Sequence, residues 1–232
     1  MLTLHQFEIS PFCDKIRRIL HWKKQPYTVR EVPLRDAMSV RKVNPSGKLP
    51  CLEDDGRFIA DSTDIAYYLE EKFPDPPLVP RDPKLRALCH FFEDWADESL
   101  YFYEMRLRFT VDHNARRNLP LLTAHDPPWM KRLARLVVPR MMRGTLGKQG
   151  LGRKSLTQIV KDVERHVDAL ADWLGDSDWL VGDALSLADI SVFAELACIR
   201  SSDEGGRVIA ARPAVARWMA RVDDATAAAA GR

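Results

Sequence analysis

A chain of 232 residues, 46% hydrophobic and 29% charged, is long enough for one large folded domain or two small ones and has the makeup of an ordinary globular protein. A net charge of only +2 argues against nucleic-acid binding as its main task, and no run approaches the roughly 18 apolar residues that span a bilayer, so no stable membrane insertion is expected. Cys13, Cys51, Cys89 and Cys198 are scattered without a disulfide framework or zinc spacing, and the six histidines form no metal pattern, so no metal is expected. Met1 to Ile9 lacks the basic-then-apolar start of a secretory signal, which with the lone cysteines points to a reducing, cytoplasmic setting.

The elements follow in order. Leu2 to Phe7 mixes apolar and polar residues at the two-residue rhythm of a strand. Ser10-Pro11 reads as a helix start, hydroxyl at the cap and proline in the first turn, with Phe12, Ile16, Ile19 and Leu20 on one face and an end before Pro26. Tyr27 to Val32 is a second strand, so the opening is a β-α-β unit with parallel strands and a right-handed crossover. Leu49 to Leu52 and Arg57 to Ala60 flank Asp55-Gly56, a hairpin signal, and a helix follows from Ser62 to Phe73. The prolines at 74, 76, 77, 80 and 83 stop both neighbours, which sets two domains, 1-76 and 84-232.

Beyond that linker only helical patterns occur. Leu85, Leu88, Phe91, Phe92 and Trp95 form one stripe, and Leu156, Ile159, Val160, Val163, Val167, Leu170 and Leu174 another. Ser186 to Asp189 resembles a capping box ahead of Ile190, Phe193 and Leu196; Arg212-Pro213 starts a last helix, and the alanine-rich tail from Ala225 is expected to fray. No acidic residue lies between Pro127 and Lys161, where Lys131, Arg132, Arg135, Arg140, Arg143, Lys148, Arg153 and Lys154 crowd together. A solvated face with a mobile loop around Gly144 to Gly152 is the favoured reading there, with membrane-surface or anion binding as the alternative. The tryptophans read as core residues.

Two features carry chemistry. Ser10 in Ser10-Pro11-Phe12-Cys13 sits where unpaired N–H groups and the helix dipole favour a thiolate over a thiol. Shifting a thiol by about two pKa units needs roughly 2.7 kcal/mol, which one hydroxyl bond plus a helix terminus can largely supply. The second is Gly47-Lys48-Leu49-Pro50 followed by Asp61-Ser62: a cis bond before Pro50 would turn the Leu49 backbone toward an extended peptide ligand, and Asp61 and Ser62 suit the ammonium and carboxylate of an amino-acid-like group.

The order of these motifs, including Asn44 to Pro50, with Trp179 to Asp183 and Ser186 to Ile190 further on, resembles the glutathione transferase superfamily over nearly the whole chain. The resemblance implies a thioredoxin-like α/β N-terminal domain followed by an all-helical, all-α C-terminal domain, with glutathione as co-substrate. Ser10 matches the serine that bonds the glutathione sulfur in serine-type classes, and its Ser-Pro-Phe context resembles the plant tau class. Leu49, before the cis Pro50, matches the residue pairing with the cysteinyl part; Asp61 and Ser62 match those holding the γ-glutamyl end; Lys48 and Arg35 match basic residues reaching the glycine carboxylate. The implied activity is attack of the thiolate on a small hydrophobic electrophile, a detoxification chemistry, in a homodimer. Phe12, Tyr101, Tyr103, Arg106 and Trp129 are the candidate walls of the co-substrate pocket.

Cys13 leaves two readings open, a small semi-buried residue or a thiol able to form a mixed disulfide with glutathione. The competing functions are accordingly a glutathione-dependent thiol oxidoreductase using Cys13 and a non-catalytic binding module on the same fold.

Overall fold

Leu2 and Leu4 point into the interior from β1 (Leu2–Gln6), the strand around which the N-terminal half is assembled. The computed structural model describes residues 1–42, 44 and 46–227; Val43, Pro45 and the alanine-rich tail beyond 227 lie outside the described residues. β1 pairs in parallel with β2 (Tyr27–Glu31) and antiparallel with β3 (Cys51–Asp54), which turns through Asp55-Gly56 into β4 (Arg57–Ala60), giving the order β2-β1-β3-β4. The right-handed conformation is abandoned at both turn residues, Asp55 at φ 47° and Gly56 at φ 86°, as a two-residue hairpin demands. This mixed sheet with its helices is a thioredoxin-like domain.

Helix α1 (Pro11–Trp22) buries Ile16, Ile19 and Leu20, and α2 (Ser62–Lys72) buries Ile65, Ala66 and Leu69. The chain from Leu34 to Lys42 forms 3₁₀ turns that no periodicity had announced. Helices then follow one another: α3 (Pro83–Trp95), α4 (Tyr101–Thr110), α5 (Asp112–Leu122), α6 (Pro128–Gln149), α7 (Leu156–Leu174), α8 (Leu187–Arg200), α9 (Asp203–Ala210) and α10 (Pro213–Thr226). A π turn over Ala96–Leu100 joins α3 to α4. One apolar cluster runs through both halves, from Leu4 and Ile16 to Ile190 and Trp218.

The capping box at α8 reaches beyond its own helix. Asp189, fully buried, accepts from the Ser186 backbone at 2.9 Å and its hydroxyl at 2.8 Å, from the Leu180 N–H at 2.8 Å and from the Trp218 indole at 2.9 Å. One carboxylate thus ties the loop before α8 to α10 and satisfies donors that would otherwise be buried unpaired.

Three expectations need correction. The segment 144–152 is not a loop: α6 runs through Gly144 and Gly147 to Gln149 and ends at Gly150, whose φ of 111° closes it, because helix hydrogen bonding along α6 outweighs the propensity cost of two glycines. The α3 stripe does not face the core as a unit, since Phe91 is 67% exposed and the innermost residues are Cys89 and Glu93. Trp129 and Trp173 lie on the surface, whereas Trp218 is core. Among the described residues, no helix is long and apolar enough to cross a membrane.

Candidate functional site

Ser10 closes the turn after β1: its N–H donates to the Phe7 carbonyl at 3.1 Å and its own carbonyl accepts from Asp14 at 3.0 Å, the first bond of α1. With Pro11 occupying the first helical position, the helix begins without a side-chain cap bond from Ser10. The hydroxyl is therefore not spent on the helix. Ser10 lines a cavity of about 440 Å³ between the sheet domain and α4 and α6, together with Phe12, Lys48, Leu49, Tyr101 and Met142.

A second, smaller cavity of about 150 Å³ adjoins it, lined by Ser46, Pro50, Asp61, Ser62, Thr63 and His90. The two share Phe12, Lys48, Leu49, Asp97 and Glu98. Leu49-Pro50 is cis. Asn44 holds the loop before it, donating to the Lys48 carbonyl at 2.7 Å while accepting from the Ser46 backbone at 2.9 Å and hydroxyl at 2.8 Å. Gly47 adopts φ 71°, and a β-carbon there would sit 3.1 Å from the Arg41 side chain, so the residue before Lys48 has both a conformational and a steric reason to be glycine.

Asp61 stands at the start of α2 with φ 76°, an uncommon conformation for a residue with a side chain, and its carboxylate accepts from the Thr63 N–H at 2.9 Å. Behind it lies a buried charge cluster that spans the two halves. Lys15 of α1 donates to Glu93 at 2.6 Å and to Asp97 at 2.8 Å. Ser62 donates to Asp97 at 3.4 Å, and the Thr63 hydroxyl donates to Glu93. Burial pushes the Asp97 carboxyl up to about 6, with Lys15 pulling it back and Glu93 adding to the rise. The polar cavity is thus rimmed by Asp61, Asp94, Asp97 and Glu98 against Lys48 and His90, a setting that attracts an ammonium group.

Cys13 is the contrary case. It is completely buried in a small cluster with Val40, Leu49 and Cys51, and burial pushes its thiol up to about 11 against the opposing pull of the neighbouring Ser10 hydroxyl. Such a thiol is neither accessible nor ionised near neutral pH. Replacing Cys13 by Ala is expected to change conjugation rates less than about threefold, and alkylation of the folded protein followed by mass spectrometry is expected to leave Cys13 unlabelled.

The remaining candidates divide. Phe12 and Tyr101 pack at a tilt in the larger cavity, with ring centroids 4.9 Å apart and an interplanar angle of 53°. Tyr103, Arg106 and Trp129 do not line it. Tyr103 is buried on the far side of α4 against His166, Arg106 donates to Thr110 along its own helix, and Trp129 is 59% exposed. Helical phase explains this: positions 101, 102, 104, 108 and 109 line the cavity from one side of α4, and 103 and 106 fall off that side. Arg35 also lies away from both cavities, because Asp126 accepts from the Leu34 and Arg35 N–H groups at 2.8 and 3.0 Å and the guanidinium donates to the His125 carbonyl at 3.0 Å. That anchoring commits Arg35 to the turn between α5 and α6.

Sequence reasoning missed Lys15, Glu93 and Asp97, and it missed Arg108. Arg108, buried in the cavity wall, donates to the Ile9 carbonyl at 3.0 Å, to Glu104 at 3.0 Å and to Asn118 at 3.1 Å. It clamps the backbone just ahead of Ser10 to α4. The one available signal was the i,i+4 spacing of Glu104 and Arg108.

A model of the "Glutathione S-transferase, N-terminal domain" matches residues 4–77 and one of the "Glutathione S-transferase, C-terminal domain" matches 146–223. The chain belongs to the glutathione S-transferase family. Among its relatives, an isoprene-epoxide glutathione S-transferase of Rhodococcus sp. (strain AD45) is 26% identical, with 93% of this chain and 92% of that one aligned. Glutathione S-transferase theta-1 of Rattus norvegicus is 28% identical over 97% of this transferase and 83% of its own length. Glutathione transferase F2 from Populus trichocarpa superposes with a TM-score of 0.71 at 20% identity, over 97% of this transferase and 94% of that chain, which speaks for the fold alone.

Proposed function

We propose that this transferase binds glutathione in the polar cavity with its sulfur against the Ser10 hydroxyl, and that the thiolate attacks an electrophilic carbon of a small hydrophobic co-substrate in the larger cavity. Residues 1-76 would form the glutathione-binding domain, and 84-232 the helical domain that walls the co-substrate. The observation carrying this reading is the placement of Ser10, a hydroxyl free of any capping duty at a helix start, in a wall shared with Lys48 and Leu49.

The roles follow from charge. Asp61, Ser62 and Asp97 face the γ-glutamyl ammonium and carboxylate, the Leu49 backbone pairs with the cysteinyl portion, and Lys48 takes the glycine carboxylate. The thiol proton leaves to solvent, Ser10 donates a hydrogen bond to the resulting thiolate, a carbon–sulfur bond forms, and the electron pair of the broken bond departs with the leaving oxygen or halide. An epoxide carbon is the electrophile of choice, since the aligned Rhodococcus relative is named for one and the larger cavity combines an apolar wall with Arg108. Buried Cys13 supplies no reactive thiol, which favours the serine mechanism over the oxidoreductase reading. The family usually forms dimers, and a homodimer is the expected assembly here.

Calorimetry tests the binding half of the proposal. Asp97, held near 6, is charged at about pH 7.5 and neutral at about pH 5, so glutathione affinity is expected to fall about tenfold across that interval. Asp97→Asn is the control: it should bind weakly at both pH values. Absence of glutathione binding at either pH would leave the fold as a non-catalytic module.

A further inference from the structure

Helix α6 has one face in the protein and a second whose chemistry the transferase reading does not use. Ala134, Val138 and Leu146 turn inward. Outside that buried face Trp129, Leu133, Leu136, Val137 and, at its edge, Met141 are 59%, 46%, 60%, 48% and 54% exposed. Their spacing of i, i+4, i+7, i+8 and i+12 places them in one stripe along the helix. Single exposed apolar residues are ordinary on any surface, but a contiguous patch of large ones calls for a partner.

The charge around the stripe narrows the choice. α6 carries six basic side chains, Lys131, Arg132, Arg135, Arg140, Arg143 and Lys148, and no acidic one. Among the described residues, only Arg143 of the six pairs with a carboxylate, the exposed Asp112 at 3.5 Å. Arg140 falls within the apolar stripe, and Arg132 flanks it. A second copy of this chain is a poor occupant, because a two-fold contact would press the same uncompensated arginines against themselves. An aqueous face is equally poor, since it leaves the tryptophan and leucines in water. A surface with an apolar layer beneath anionic groups meets both requirements at once.

We infer that the outer face of α6 docks the protein reversibly on anionic lipid, the stripe from Trp129 to Met141 entering the acyl boundary while the flanking arginines engage headgroup phosphates. Met141 belongs both to the stripe and to the wall of the larger cavity, so docking brings the rim of that cavity to the lipid surface. The inference does not depend on the chemistry at Ser10.

Flotation of the intact protein with phosphatidylcholine vesicles, with and without phosphatidylglycerol, tests it. Binding is expected only to the anionic vesicles and is expected to be lost at high salt. The double variant Arg132→Glu/Arg140→Glu should lower the partition coefficient at least about tenfold, and Leu136→Ser, which keeps every charge, should lower it about threefold or more. Both alter exposed positions, so melting temperature and conjugation of a water-soluble electrophile should match the parent. Equal binding by parent and variants, no binding to anionic vesicles, or a lipid-free molar mass by light scattering that drops in the variants would each overturn the proposal, the last by assigning the stripe to self-association.

Discussion

Ser10→Ala is expected to lower kcat/KM for glutathione conjugation about 10- to 100-fold, the equivalent of one hydrogen bond to a charged sulfur at roughly 1.5–3 kcal/mol. The loss should fall on the thiolate and not on tripeptide binding, because in the proposed binding mode Asp61, Asp97 and Lys48 hold the γ-glutamyl and glycine ends. The sign of the pH dependence is definite. In the proposed mechanism Ser10 stabilises the ionised sulfur and so depresses the thiol pKa of bound glutathione; without it that pKa is expected to rise by about one to two units. The deficit is therefore greatest near neutral pH and shrinks as alkaline pH ionises the thiol unaided. Ultraviolet absorbance of the bound thiolate, titrated with pH in both proteins, gives the shift directly. An unchanged titration with unchanged rates would remove Ser10 from the mechanism, and a collapse in Cys13→Ala instead would move the chemistry to that buried thiol.

How much of this could be read from the chain depends on the range over which each feature is decided. The β-α-β opening, the Asp55-Gly56 hairpin and the Ser186 to Asp189 box are settled by neighbours within a few residues, and they were legible. Ser10 was legible as a helix start, but the absence of a side-chain cap bond there was not. Arg35 illustrates the opposite case: its backbone and side chain are captured by His125 and Asp126, about ninety positions away, and nothing local marks that contact. In α4 the residue types were right and the phase was not. An error of about 100° per position separates Tyr103 and Arg106, which point away, from Glu104 and Arg108, which line the cavity.

Lys15 is the sharpest instance of long-range determination, and its removal should cost the most stability. It is 1% exposed on α1, in a stretch that reads as an ordinary amphipathic helix, yet its ammonium lies 2.6 Å from Glu93 and 2.8 Å from Asp97. Burial pulls its pKa down, and the two carboxylates more than restore it, holding it above the ordinary lysine value. Lys15→Met is expected to lose about 3–5 kcal/mol, a large part of the roughly 5–15 kcal/mol that stabilises a domain, because it leaves two carboxylates buried without a countercharge. Asp97 then binds its proton more tightly folded than unfolded, so its contribution is favourable at low pH and is lost as pH rises through its raised folded value. Urea unfolding should accordingly show a smaller deficit at about pH 5 than at about pH 7.5. Lys15→Met/Glu93→Gln, with one charge fewer to strand, should recover part of the loss. A deficit below about 1 kcal/mol, or one equal at both pH values, would mean the ion cluster is not what joins α1 to α3. Glutathione affinity carries a second readout of the same contact, since Asp97 forms part of the cavity rim: without Lys15 it stays protonated to higher pH, and tripeptide binding at neutral pH should weaken even in the fraction that remains folded.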